Sequence, residues 1–488
     1  MMKAITLSRT ASCSITLASL ALLWLAQPIA AQCGNAWTLA TGNIGSPLRV
    51  VHANGGAVAS TLQQLPGGGQ EVQLWQLNGS TWQQLPYSSP YSFPMTALQD
   101  GSLVVAGATS IERWDGAAWQ FFAPDIGITL LETMSNGDVI AAGYFEAGPG
   151  APSTGIARWD GSAWVAMGIG LHNVVPDYIT AIAEQANGDI VVGGRFNYIG
   201  GIAADHVARW DGTSWSAIGP GVPYFVRDLV TVANGDIFIA GGTQHGCARW
   251  DGAAWQYMGG VWPAGSTIRA VVATPDGGVI AGGNFSIIGG VFVDHLARWR
   301  GGSWEAMGPV INDDVDALAP LPNGGVIVAG EFTQIGAAST APVTVYRSLC
   351  PAAAIAEGSG CASSGGANVL EATTLPFVGA TCVTRGSGLP ADALVIAAFG
   401  WQQQAAPQPL AALLPQAAIG CDLHVVPAVL LLSVASNGVA TVGIDLPNTL
   451  ALAGNDLFEQ MVPIELDALG NIQAITATNS LRLTVGAF

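Results

Sequence analysis

Between residues 33 and 350 short apolar runs alternate with glycine-marked polar breaks, and the alternation repeats. One copy reads Thr180–Gln185, Asp189–Gly193, Val207–Trp210 and Ser214–Ile218. Each run has the length and the β-branched and aromatic content of a strand. Asn187-Gly188 separates the first two runs and Asp211-Gly212 the last two. Such dipeptides favour two-residue type I′ hairpins, which need positive φ at both central positions. The pattern predicts four antiparallel strands per unit, renewed roughly every 40–50 residues, which is the signature of a propeller blade.

Two phrases mark each unit. The first is Asn/Asp-Gly, an apolar run and often Gly-Gly-x-Phe, as in Asn187–Phe196, Asp276–Phe285 and Asn323–Phe332; further copies begin at Asn54, Asp100, Asn136 and Asn234. The second is Ala-Arg-Trp-Asp-Gly-x-x-Trp at Ala157–Trp164, Ala208–Trp215 and Ala248–Trp255, with looser copies at Leu74–Trp82, Glu112–Trp119 and Ala297–Trp304. Its second tryptophan stands at Trp37, Trp82, Trp119, Trp164, Trp215, Trp255 and Trp304. Trp37 has no unit before it, and Asn323–Tyr346 holds three runs and no fourth. The N-terminal run Ala36–Leu39 is therefore expected to complete the last unit, closing a seven-bladed ring without free edges. With Arg347 taken as the motif arginine, Cys33 and Cys350 fall beside each other across that hairpin, and a Cys33–Cys350 disulfide is predicted.

These motifs resemble kelch-type propeller repeats. They are closer still to the repeats of fungal cortical polarity-marker proteins and of similar exported bacterial proteins. The resemblance covers about residues 33–350 and implies a fold, since propellers host many functions. Galactose oxidase shares the general blade plan, but no counterpart of its copper ligands is found, so no catalytic residue is carried over.

After Cys350 the repeat stops. Residues 351–367 read as a linker and 368–488 as an antiparallel β-sandwich, with runs at Ala393–Phe399, Val425–Val434, Gly438–Leu446, Met461–Leu466 and Leu481–Val485. Gly358–Cys361, Ile419–Leu423 and Ser480–Gly486 resemble a C-terminal domain common in large exported bacterial proteins, which implies a secreted accessory module. Cys361 and Cys421, in glycine-flanked loop contexts, are expected to form a second disulfide. Cys382 and Cys247 fall in strand patterns and read as buried thiols.

Composition narrows the partners. The chain has 488 residues, 10% charged, and a net charge of −18; Lys3 is its only lysine. Phosphate backbones are held by Lys and Arg, so nucleic acid is excluded as a partner. Residues 1–31 read as a secretory signal, with Lys3 and Arg9 before an apolar core at Ile15–Leu25. No later run is of membrane-spanning length. The expectation is a secreted or cell-surface monomer.

Thirteen of the sixteen tryptophans sit at repeat anchor positions, so they read as packing residues rather than as a stacking surface. Asp115, Asp160, Asp211 and Asp251 precede glycine in turns and are expected to bond their own backbone. His206, His295 and His245 belong to different units and read as structural. Asp313 and Asp314, in the densest acidic stretch, are a weak Ca²⁺ candidate; otherwise no cofactor or metal is expected. The tight turns join strands at one face, which leaves the long variable loops on the other, where binding residues usually lie. Tyr144, Tyr178, Tyr198, Tyr224, Phe225 and Trp262 are the aromatic candidates there. Arg227, Arg269 and Asp316 are expected at the channel mouth. The leading function is a non-catalytic binding protein engaging a glycan or a protein. A propeller enzyme acting on polysaccharide and a structural cell-surface protein are the alternatives.

Overall fold

The computed structural model describes residues 35–487 apart from 40–43, 45, 54–55, 66–69, 79–80, 90–93, 108–109, 125–126, 147–153, 169, 172–176, 242–245, 259–264, 322–323, 349–351, 448, 450–451 and 468. It is an all-β protein in two units, Gly34–Leu349 and Cys350–Ala487. The first unit is a β-propeller. Its described residues form seven four-stranded antiparallel sheets, numbered one to seven along the chain. Their first strands are Ser46–Ala53, Met95–Ala97, Ile128–Thr133, Tyr178–Glu184, Val226–Thr231, Thr267–Ala273 and Val315–Pro320. Each packs on the next, and Ser46–Ala53 packs on Val315–Pro320. The fourth strand of sheet seven is Asn35–Thr38, paired with Val343–Ser348. Trp37 stands opposite Tyr346, so Tyr346 holds the place of the motif's first tryptophan. That corrects the register built on Arg347, which faces Ala36 instead. Cys33 and Cys350 lie outside the described residues.

The turns of the propeller are wider than the dipeptides imply. In sheet four Gly188 N donates to Gln185 O, and Gln185 N to Asp189 O. Only the glycine has positive φ, 87°, so the loop has three central residues ending in a left-handed glycine, not a type I′ pair. The Asp-Gly turn spans four residues, Asp211–Ser214, between the paired Trp210 and Trp215. Asp211 Oδ1 accepts from Thr213 N and Ser214 N, both at 2.8 Å, and Asp115, Asp160 and Asp251 do the same in their turns. Hydrogen bonds from Thr213 and Ser214 hold the Asp211 carboxyl well below the usual range. In the second unit Asn437 and Gly438 have φ of 51° and 79°, as a two-residue type I′ turn requires.

Gly-Gly-x-Phe has a steric cause. The first strands of sheets three to seven, and of sheet one, each carry a bulge, as between Ile268 and Ala270 in sheet six. The second glycine of the phrase lies against that bulge. A Cβ on Gly283 would stand 2.2 Å from Thr267 O and 2.9 Å from Ile268 Cα. The phenylalanines Phe196, Phe285 and Phe332 are fully buried, each worth about 1.5–3 kcal/mol of apolar burial. Between sheets three and four, Leu130, Ile140, Ile156, Ile179, Val192 and Trp215 share one cluster.

The motif arginine is also explained. Arg158 pairs with Asp138 at 2.8 Å and Arg249 with Asp236 at 2.6 Å; Arg113–Asp100, Arg209–Asp189 and Arg298–Asp276 repeat the arrangement. Third strand and first turn are thus tied within each of sheets two to six. Sheet one departs from the motif: Leu77, not Trp75, faces Trp82.

In the second unit a six-stranded sheet and the three-stranded sheet Val369–Ala372, Thr381–Ser387 and Ala440–Asp445 share one core, to which Leu370, Cys382, Val395, Phe399, Val442, Leu457 and Leu483 contribute. The unit starts earlier than expected: Ala353–Glu357, read as linker, pairs with Ser480–Thr484. The run Val425–Val434 divides into Asp422–Val425 and Val429–Val434, which belong to different sheets. Cys361 and Cys421 form a disulfide with Cα atoms 5.4 Å apart, while Cys247 and Cys382 are buried thiols. Burial pushes the Cys382 thiol up to about 12.

Gly283→Ala should lower the melting temperature, since the methyl has nowhere to go; overpacking of this kind costs about 1–3 kcal/mol. An unchanged calorimetric melt would contradict the steric account. A second expectation concerns Glu459, whose Oε2 is buried without a partner while Oε1 accepts from Thr384 Oγ1 at 2.8 Å. Burial raises its pKa to about 8, so folding keeps a proton that the unfolded chain releases near 4.5. The contribution of Glu459 to the stability of this unit is therefore fullest at acid pH, falls by at most roughly 1.4 kcal/mol per unit of pH through that window, and levels above the folded value. Hydrogen exchange of Asp456–Leu466 should show this decline, and Glu459→Gln should flatten it; a decline equally steep in the variant refutes the assignment.

Candidate functional site

In each sheet the first strand lines the ring's interior and starts at the face of the long loops, because both tight turns lie at the other end. Arg227, Arg269 and Asp316 occupy one structural position, the bulge residue of the first strands of sheets five, six and seven. The structure brings two of them together. Arg269 forms ion pairs with Asp316 and, at 2.7 Å, with Asp314. Asp314 Oδ2 also accepts from Asn284 Nδ2 at 2.9 Å, and His295 Nδ1 lies 3.4 Å from Oδ1. Burial raises the Asp316 pKa, against the pull of Arg269. Asp313 turns back to accept from Asp314 N. The acidic stretch proposed for Ca²⁺ is thus filled by cationic and amide donors, and no group of three or more His, Cys, Asp or Glu suited to a metal occurs among the described residues.

Arg227 is different. It is exposed, and its guanidinium stacks over the Phe225 ring at 5.3 Å. Tyr224, half-buried, lies 6.4 Å from Tyr257, and burial pushes its phenol well above the usual range. Tyr178 opens the first strand of sheet four, opposite Arg195. Tyr198 is 53% exposed, on a two-stranded hairpin laid over the loop end of sheet four; Phe292, on the matching hairpin of sheet six, is 80% exposed. The side chain of Tyr144 and the whole of Trp262 lie outside the described residues, as does His245. His206 and His295 adopt left-handed φ of 68° and 65°, and His295 Nδ1 sits 3.1 Å from Gly283 O.

Deeper in the ring, three charged groups from three sheets face one another, and motif reading missed all three. They are Arg49 of sheet one, Glu132 of sheet three and Asp228 of sheet five. Protein surrounds each on nearly every side, yet each keeps partial access to solvent, as a channel wall does. Arg49 Nη2 donates to Thr129 O at 3.3 Å, reaching past sheet two, whose first strand has only three residues. Asp228 accepts from Leu229 N at 2.9 Å and Val271 N at 2.8 Å. Burial, then the Asp228 charge, raises the Glu132 pKa to about 8, opposed by Arg49. Burial raises Asp228 to about 6. The available signal was a lone charge inside an inner-strand run, as in Ile128–Thr133.

A shallow groove of about 400 Å³ lies at the tight-turn end between sheets two and three, lined by Phe121, Phe122, Trp159, Arg113, Asp138 and Asp160. Its charged members are already bonded within their own sheets.

No family model matches the chain, and no curated protein matches it. Among solved structures it is similar to a streptogramin B lyase (9% identity, 65% of this chain and 98% of that one, TM-score 0.42). It is similar also to YCF48 from Cyanidioschyzon merolae (12% identity, 64% and 98%, TM-score 0.40). A third is the extracellular domain of the putative hybrid two-component system BT3049 from B. thetaiotaomicron (10% identity, 92% and 56%, TM-score 0.41). At these identities and scores, no activity, ligand or residue role passes from them to this chain.

Proposed function

We propose that this is an exported, monomeric, non-catalytic binding protein. In this reading it is a seven-bladed, kelch-like propeller closed by its own N-terminal strand and joined by Cys33–Cys350, and its loop face engages a glycan or a protein. The described register of the closing strand stops at Asn35 opposite Ser348, two pairs short of those cysteines. The Cys361–Cys421 bond fits an oxidising compartment, and among the described residues no helix is long and apolar enough to cross a membrane.

The observation that carries the binding reading is Arg227 on Phe225. Most arginines of the propeller are used by the scaffold, in ion pairs with acids. Arg227 stands exposed at the channel mouth, with an aromatic ring as its recorded partner. Arginine and aromatic side chains dominate binding hot spots, and Tyr198 and Phe292 add exposed rings on the same face. An enzyme acting on polysaccharide is the second reading, favoured by the two enclosed carboxyls Glu132 and Asp228, of which one keeps its proton at neutral pH.

A glycan array run beside a polysaccharide depolymerisation screen separates the two. The binding reading expects retention without product, weakened about tenfold or more by Phe225→Ala with Arg227→Ala, as for hot-spot removal. Product formation, or full binding by the double variant, would overturn it.

A further inference from the structure

The charges of the inner channel are held apart in an unusual way. Opposite charges in an enclosed setting ordinarily close to hydrogen-bond distance. Arg49 forms no ion pair with any described acid within 4.0 Å, although Glu132 and Asp228 both act on it electrostatically. The Glu132 carboxyl makes no hydrogen bond to any described residue, and the Asp228 carboxylate is bonded to two backbone amides while keeping spare lone pairs. The Glu132 carboxyl, half-buried and without a protein partner, is left to solvent or a ligand at the ring's interior. Side chains at that level are small in three sheets: Ala181, Ala270 and Ala317 follow the bulge in sheets four, six and seven, where Arg49 and Asp228 stand in sheets one and five and Leu130 in sheet three. The first strand of sheet two has only three residues.

The charge set selects the chemistry of an occupant. A cation would meet Arg49, and an anion would meet two carboxyls. A hydroxyl group suits both sides, since it donates to a carboxylate and accepts from a guanidinium. We propose that Arg49, Glu132 and Asp228 form a binding subsite for a neutral, hydroxyl-rich group, a single sugar unit entering the channel from the loop face. The proposal rests on the glycan form of the binding reading and places the end of that glycan. Glu132 in its protonated state adds a donor for a ring or glycosidic oxygen.

The test is ligand-observed NMR on the full chain with glucose, galactose, mannose and xylose, beside ethylamine, acetate and CaCl₂ as charged probes. At least one neutral sugar should bind, and the charged probes should not compete with it. Arg49→Met and Glu132→Leu should each weaken that binding about tenfold or more, as expected when a buried polar partner is lost. Calorimetric melts verify folding, and either channel variant suffices if the other does not fold. Absence of binding by all four sugars, displacement by a charged probe, or full sugar binding by a folded channel variant would each overturn the subsite. Array binding that depends on Arg227 but not on Arg49 or Glu132 would leave the loop-face reading standing and remove this one alone.

Discussion

In sheets three to six the second tryptophan of the repeat donates its indole N–H to a carbonyl at the end of the sheet before it. Trp164 reaches Pro124 O at 3.0 Å, Trp215 Met167 O at 2.7 Å, Trp255 Ile218 O at 3.0 Å and Trp304 Met258 O at 3.1 Å. Each also lies against the first tryptophan of its own turn, with ring centroids 5.3–5.5 Å apart for Trp210–Trp215 and Trp250–Trp255. The pair closes the outer hairpin, and the N–H fixes that hairpin to its neighbour. A buried indole needs such an acceptor, so one residue settles local packing and spacing between sheets together. That accounts for the tryptophan in four of the seven sheets; the indole nitrogens of Trp37, Trp82 and Trp119, at the same position, are buried without an acceptor among the described residues.

The same economy governs the polar groups. Motif aspartates cap their own turns, and motif arginines bind the acid of the first turn, so both are absorbed inside single sheets. A few charged groups are not absorbed in this way. Arg227 at the mouth and Glu132 in the channel are the clearest cases.

The strands of the repeat were legible because their glycines and tryptophans are local signals with steric causes, as Gly283 against Thr267 O makes plain. Turn type was less legible. Asn-Gly permits both the two-residue loop found at Asn437-Gly438 and the three-residue loop found at Asn187-Gly188, and the flanking register decides between them. Ala353–Glu357 reads as linker because three of its five residues are alanine and its partner, Ser480–Thr484, is more than a hundred residues away. The channel triad was hidden for a related reason. Arg49, Glu132 and Asp228 belong to three different repeats and meet only when the sheets are arranged around a common axis. Arg269 and Asp316 were legible as neighbours of the mouth, but not as partners of each other.

In the proposed ring the seven sheets act as one closed structure through the strand Asn35–Thr38. Hydrogen exchange on Trp37→Ala tests it directly. Ring closure predicts faster exchange both in sheet seven, at Val326–Gly330 and Val343–Ser348, and in the first strand of sheet one, Ser46–Ala53, which packs on sheet seven. Faster exchange confined to Val343–Ser348, with Ser46–Ala53 unchanged, would contradict it.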